Sequence, residues 1–402
     1  MTSETESTFA WLRLAANLAL STMGGVGMWS VVVVLPSLQA EFGVDRGGAT
    51  VPYAATMAAI AIGGLFMGRL VDRIGVALPV LIGTLSLSLG YILAGMATSL
   101  TQFTAIQAIL IALFGASTTF GPLVADTSLW FTRRRGIAVA VCASGNYLAG
   151  TIWPPILQHL IATQGWRTTH TIVGCTTLVV MLPIILILRR PAPREPIATN
   201  ARTASRLGVA GFSPGLVQGL LVLAGLSCCV AMSMPQVHIV AYCADLGYGP
   251  AQGAGMLSLM LGFGIVSRIA SGFVADRIGG FPTLMLGSIL QAGALALYLA
   301  FDSLGSLYII SAMFGLFQGG IVPSYALVVR ELYPAEQAAT RISAVLMATV
   351  AGMALGGWLS GAIFDLTGSY AAAFLNGIVW NLLNIGIVVT LLRGRRAQVV
   401  MA

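Results

Sequence analysis

One arginine stands inside a long apolar run. The stretch GIVSRIASGFVADRIGG, residues 264–280, carries Arg268 with Gly264 one turn before it and no acid on that face of its own helix. A guanidinium is a planar fork that matches a carboxylate with two parallel hydrogen bonds. Eight residues on, the chain reaches Asp276 and Arg277. At ~1.5 Å per helical residue, Arg268 then lies roughly 12 Å deeper than that charged turn. A central arginine costs about 2.5–3.5 kcal/mol on membrane-insertion scales, so this one is expected to face a watery cavity or an anion rather than lipid. Two readings stay open: it anchors a substrate carboxylate, or it pairs with an acid from another helix. Asp126 is the candidate acid, although its place two turns before Arg133 turns it toward a basic helix end.

The other reactive side chains do not assemble into a recognisable chemistry. The three histidines, His159, His170 and His238, and the five cysteines, Cys142, Cys175, Cys228, Cys229 and Cys243, show no metal-ligand spacing and no Cys-x-x-Cys. Nor does the sequence offer a Ser-His-Asp set that can be placed together. The expectation is no enzyme, no cofactor and no metal. Cysteines inside apolar segments read as small apolar residues.

The elements that must position Arg268 follow from composition. Of 402 residues, 57% are hydrophobic and 8% charged, against about a quarter charged in a soluble domain. A mean hydropathy of +0.91 agrees, and the chain reads as an all-α integral membrane protein. A bilayer core of ~30 Å needs roughly 20 apolar residues as helix. Twelve such runs lie near 12–36, 51–70, 77–98, 103–128, 136–160, 168–188, 213–240, 252–273, 282–301, 305–329, 341–363 and 371–392. The polar, Pro-rich stretch 189–212 divides them six and six, which predicts bundles at 1–188 and 213–402. The start, MTSETESTFAW, lacks a basic segment before a cleavage site and reads as a polar tail, not a signal peptide.

All 20 basic residues are arginine, and their placement sets an orientation. Seventeen, Arg13 and the Arg133–Arg135 run among them, fall at terminal or even-to-odd loop positions. Arg46 and Arg167 fall on the other side, and Arg268 on neither. The positive-inside rule then puts both termini in the cytoplasm. It also accounts for the net charge of +7 without a nucleic-acid partner.

An internal repeat joins the halves. GRLVDRIG (68–75) follows the second run and GFVADRIG (272–279) the eighth, offset by 204 residues. Parallel repeats of six helices form a transporter pattern. The position matching Arg268 at that offset is Gly64. The cation is therefore no part of the repeated scaffold, and asymmetry of this kind is where substrate chemistry is expected.

The two G-x-x-x-D-R-x-G turns resemble the signature of the major facilitator superfamily, and the likeness covers nearly the whole chain. It implies twelve transmembrane helices in two pseudo-symmetric six-helix bundles. It also implies that Gly68, Asp72, Arg73, Gly75, Gly272, Asp276, Arg277 and Gly279 form turns that lock and release the cytoplasmic side; a purely structural packing turn is the other reading. WFTRRRGIAVAVCASGNYLAG (130–150) and PQVHIVAYCADLG (235–247) are similar to the fifth and seventh helices of monocarboxylate transporters. In that group the eighth-helix arginine binds the substrate carboxylate. The acid that animal members often carry one turn before it is missing here. The related oxalate–formate exchangers carry a lysine in the eleventh helix, whereas 342–364 has no charge, so one carboxylate fits better than two.

By the same resemblance, helices one, four, seven and ten line the cavity. His238 on the seventh could bond a substrate or carry a proton, or be a hydrogen-bonded helix-end residue. Thr118, Thr119 and Phe120 on the fourth, Gln318 on the tenth and Asn146 and Tyr147 on the fifth are further candidates, and Trp29 on the first a closing residue. The implied activity is transport of a small organic monocarboxylate, lactate- or pyruvate-like, by proton symport. Organic-anion exchange, or efflux of another small compound, is the alternative. The expected setting is the cell inner membrane, with the protein a monomer and a small anion, protons and lipid as its partners.

Overall fold

The computed structural model describes residues 6–131, 134–190, 212–333 and 335–401, and leaves some side chains within them, Asp72 and Arg135 among these, outside the description. Among the described residues every regular element is a helix. Lipid offers backbone groups no hydrogen bonds, so apolar runs of this length satisfy them internally. Among the described residues, eleven helices are long and apolar enough to cross a membrane. We number the membrane helices in order: α1 Thr8–Phe42, α2 Arg46–Ile74, α3 Ala77–Gly95, α4 Leu100–Trp130, α6 Trp166–Arg189, α7 Pro214–Asp245, α8 Pro250–Ile278, α9 Gly280–Ala300, α10 Leu304–Leu332, α11 Ala335–Thr367 and α12 Tyr370–Met401. The twelfth crossing, α5, is Arg135–Ala143 continued by residues 145–164; Gly165, at φ 77, turns the chain into α6. Ser7, Asp45, Ser99, Ser213 and Ser303 each accept a bond from a backbone N–H in the first turn of α1, α2, α4, α7 and α10, which fixes where those helices begin.

Contacts divide the chain into two units, Met1–Ile197 with Cys243–Ser258, and Ala198–Tyr242 with Leu259–Ala402. The end of α7 and the start of α8, which the sequence assigns to the second half, thus group with the first unit. There Arg46 Nη2 binds both oxygens of Asp245 at 3.0 and 2.9 Å, and Ser258 Oγ donates to the Thr151 carbonyl.

The internal repeat is visible in the backbone. Gly75 and Gly279 share φ/ψ values of 81/169 and 87/169, and each N–H bonds the carbonyl four residues back at 2.8 Å. That region is accessible essentially to glycine alone, which explains the residue type at both ends of the motif. Helices α4 and α10 both break part-way. In α4 a widened turn over Gln107–Gly115 and a tightened one over Ala116–Thr119 precede a new helix at Gly121. Pro122 lacks the N–H that would bond Thr118, so the helix cannot run through. In α10 the break is Gly319–Gly320. Gly115 and Gly319 stand 204 residues apart, the same offset as the motif turns.

The first unit holds a buried ion pair at the start of α1. Arg13, 1% exposed, grips Asp126 of α4 through Nε and Nη2 at 2.9 and 2.8 Å. Its Nη1 donates to the Ile187 and Arg190 carbonyls at 3.3 and 2.6 Å, and Asn17 Nδ2 donates to Asp126 at 2.9 Å. Arg13 is therefore no solvated tail charge, and Asp126 finds its cation on α1; Arg133 lies outside the described residues. The two arginines on the sparsely basic side are paired as well. Arg46 meets Asp245, and Arg167 meets Glu41 at 2.5 Å while stacking on Trp166.

Candidate functional site

Arg268 sits half-buried on α8 in the second unit. Its register is set by close packing of α8 on α10. A Cβ added at Gly319 would strike the Gly264 carbonyl and come within 2.8 Å of Ser267 Cβ. One added at Gly320 would strike Ser271. Only glycines let the helices approach so closely. Gly264, Ser267 and Ser271 thus form the face against α10, and Arg268 projects from its flank. Ser271 Oγ donates to the Arg268 carbonyl at 3.0 Å. At Gly64, the matching position of the first unit, an added Cβ would meet nothing within 4 Å. That register points away from packed helices.

Gln318 closes the upper half of α10, at the break itself. It is fully buried, and its Oε1 accepts from Gln236 Nε2 of α7 at 2.9 Å. His238, two residues along α7, is also fully buried. Its Nε2 lies 2.8 Å from the Gly357 carbonyl and its Nδ1 3.2 Å from the Tyr370 hydroxyl. A carbonyl only accepts, so Nε2 carries a proton. The hydroxyl can donate to Nδ1 or accept from it, so the ring keeps both bonds with one proton or two.

In the first unit the candidates divide. Thr118 and Thr119 are buried, and their hydroxyls return to the Gly115 and Ala116 carbonyls at 2.8 Å. Thr118 packs on Gly83 of α3 and Thr119 on Gly24 of α1, which makes them parts of the helix contacts. Phe120, at the α4 break, is 42% exposed. Trp29 is buried and donates from Nε1 to the Asn146 carbonyl at 3.1 Å. Asn146 Nδ2 reaches Met28 Sδ at 3.8 Å, and Tyr147 is buried beside it in sequence. Trp29, Asn146 and Gly25 therefore form one cluster where α1 bends. At the motif turns, Arg73, Asp276 and Arg277 are exposed; the Asp72 side chain lies outside the description. Gly68 and Gly272 leave open space around an added Cβ.

Several polar groups were not singled out from sequence. Glu331 of α10 accepts from the Gly280 N–H at 2.6 Å, capping α9. Tyr325, Asn384, Asn381 and Ser288 form a buried network joining α10, α12 and α9. The Arg13–Asp126 pair left a readable trace: Arg13 and Asn17, four apart, share one face of α1. Gln236 left none, being one amide in an apolar helix. No cluster of three or more metal-type ligands occurs among the described residues.

A family model described as Major Facilitator Superfamily matches residues 18–306. The chain belongs to the major facilitator superfamily. Its relatives include monocarboxylate transporter 13 of Bos taurus, 29% identical over 78% of this chain and 72% of the relative. Monocarboxylate transporter 11 of Homo sapiens is 26% identical over 91% and 79%. Among solved structures, a bacterial homolog of the human lysosomal transporter Spinster has a TM-score of 0.71 at 14% identity, covering 98% of this chain and 97% of that one. A POT family transporter in complex with 5-aminolevulinic acid has 0.76 at 12%, covering 95% and 96%. At such identities the structures speak for the fold alone. This major facilitator protein is a multi-pass membrane transporter, and its relatives are transporters rather than enzymes.

Proposed function

We propose that this transporter carries a small organic monocarboxylate, lactate- or pyruvate-like, in symport with protons. The observation that carries the reading is Arg268: a permanent cation, half-buried within a membrane helix, at a register where the first half has Gly64. The names of the relatives, monocarboxylate transporters among them, support it. A guanidinium prefers a planar carboxylate, and a single cation neutralises a single negative charge. Gln318 offers a further polar contact in the same unit. Within the first unit, Phe120, Trp29, Asn146 and Tyr147 are proposed as substrate-contacting residues, and Thr118 and Thr119 act by shaping α4 through their packing. The motif turns, from Gly68 through Asp72 and Arg73 to Gly75 and from Gly272 through Asp276 and Arg277 to Gly279, act as the moving cytoplasmic frame. The protein works as a monomer in the cell inner membrane with both termini in the cytoplasm.

His238 is the proposed proton carrier, because the Tyr370 hydroxyl can reverse its bond when the ring gains a proton. Anion exchange is the second reading. It is favoured by the grip of Arg13 on Asp126, which leaves that embedded acid committed to an ion pair. Uptake of labelled lactate, pyruvate and formate into proteoliposomes separates the two. Symport requires that a proton gradient, acidic outside, drive accumulation. Uptake that ignores the gradient but needs an internal anion supports exchange, and absence of carboxylate uptake in both formats rejects both.

A further inference from the structure

The amides of Gln236 and Gln318 make an asymmetric pair. Gln318 Oε1 takes the Gln236 bond, whereas Gln318 Nε2 is buried with no hydrogen-bond partner. Other buried amides leave a group unfilled: Asn17, Gln107, Gln218 and Gln291. Each of those leaves an oxygen. Gln318 leaves a nitrogen, alone among the buried side-chain amides of the described residues. A carbonyl with a spare lone pair is tolerated in protein interiors, while a buried N–H without an acceptor is rare and asks for an explanation.

The place of this nitrogen supplies one. Gln318 immediately precedes Gly319, which packs on Gly264 and Ser267 of α8. Arg268 immediately follows Ser267. The unfilled donor and the cation are thus each one residue from the same helix contact, in the same unit. We propose that Gln236 is a positioning residue that holds the Gln318 amide with its nitrogen presented as a donor. In this arrangement Gln318 sets specificity by requiring an acceptor oxygen on the carbon beside the substrate carboxylate. The inference rests on the carboxylate reading of Arg268. Gln236, 3% exposed, sets the polarity: it occupies the Gln318 oxygen and leaves the Gln318 N–H as the group a ligand would have to fill. A carbonyl oxygen at carbon 2 fills it. A methylene leaves it unfilled, and an ammonium sets donor against donor. Sites built to bond a substrate oxygen discriminate strongly against analogues that lack it.

The test compares kcat/KM for pyruvate and for propionate, which replaces the carbonyl by methylene, in proteoliposomes of the full-length protein. The wild type is expected to favour pyruvate by about tenfold or more. Gln318→Met and Gln236→Leu should each bring the ratio to within about threefold of one, and the double variant should fall no further than the singles, since the two residues act as a unit. A purely structural role lowers both rates together and leaves the ratio intact; that result in Gln236→Leu overturns the proposal. So does a wild-type ratio near one, which means that water satisfies the amide. If Gln236→Leu does not accumulate, Gln236→Met keeps the side-chain length and gives the same readout. Failure of the underlying reading is seen separately, as uptake of both acids by Arg268→Ala at the wild-type rate.

Discussion

Gly75 and Gly279 occupy a backbone region that a Cβ makes costly, at φ of 81 and 87 with ψ of 169 in both. Alanine at either should destabilise the protein by about 1–3 kcal/mol. Alanine at Gly68 or Gly272, where an added Cβ meets nothing within 4 Å, should cost no more than a few tenths of a kcal/mol, as surface changes do. Thermal unfolding of the four variants in detergent checks the contrast. His238 makes a different prediction. Gln at 238 can still donate to the Gly357 carbonyl but cannot take up a proton. His238→Gln should therefore abolish stimulation of uptake by an acidic exterior while leaving anion counterflow; gradient-stimulated uptake by this variant would remove His238 as the carrier. Legibility at this scale follows from how unusual a residue is for its surroundings. Arg268 was readable as a cation in an apolar run, and Gly75 and Gly279 as paired motif glycines. Gln236 was not, because the order in which two amides bond depends on two helices meeting.

At the scale of elements, the cost of a buried charge decides what holds α1. Arg13 carries an ion pair with Asp126 and two carbonyl bonds near the end of α6. Removing one member strands the other in a dry site, at about 3–5 kcal/mol. Replacing both by apolar residues of similar volume is often neutral or stabilising. Arg13→Met should thus lower the unfolding temperature sharply, and Arg13→Met with Asp126→Leu should recover most of the loss. If the double variant is as unstable as the single, the pair is worth more than its desolvation. Hydropathy located the helices to within a few residues, as for α10, expected at 305–329 and found at Leu304–Leu332. It could not find the widened turn of α4, because 107–115 is uniformly apolar and only Pro122 marks the break. Nor could it pair Asp126 with a residue more than a hundred positions away.

For the whole molecule, the repeat was legible because the two motif turns share five of eight residues, and their closing glycines adopt matching backbone angles. The grouping of Cys243–Ser258 with the first unit was not, since it depends on Arg46 meeting Asp245 and Ser258 meeting Thr151. The arginine count predicts cytoplasmic termini. A phosphatase fused at the C-terminus should be inactive, and the same fusion in the 43–45 turn active; the reverse pattern would invert the orientation. Arg46 and Arg167 are paired to Asp245 and Glu41, and the proposed transport rests on Arg268 within α8 as the carboxylate anchor. The initial rate of labelled pyruvate uptake into proteoliposomes, compared among wild type, Arg268→Lys and Arg268→Ala, tests it most directly. Loss of the carboxylate's partner should lower kcat/KM by about 30-fold or more in Arg268→Ala, on the order of 2 kcal/mol. Arg268→Lys, which keeps the charge but not the planar fork, should fall between. Wild-type uptake by Arg268→Ala would contradict the assignment of Arg268 as the carboxylate anchor.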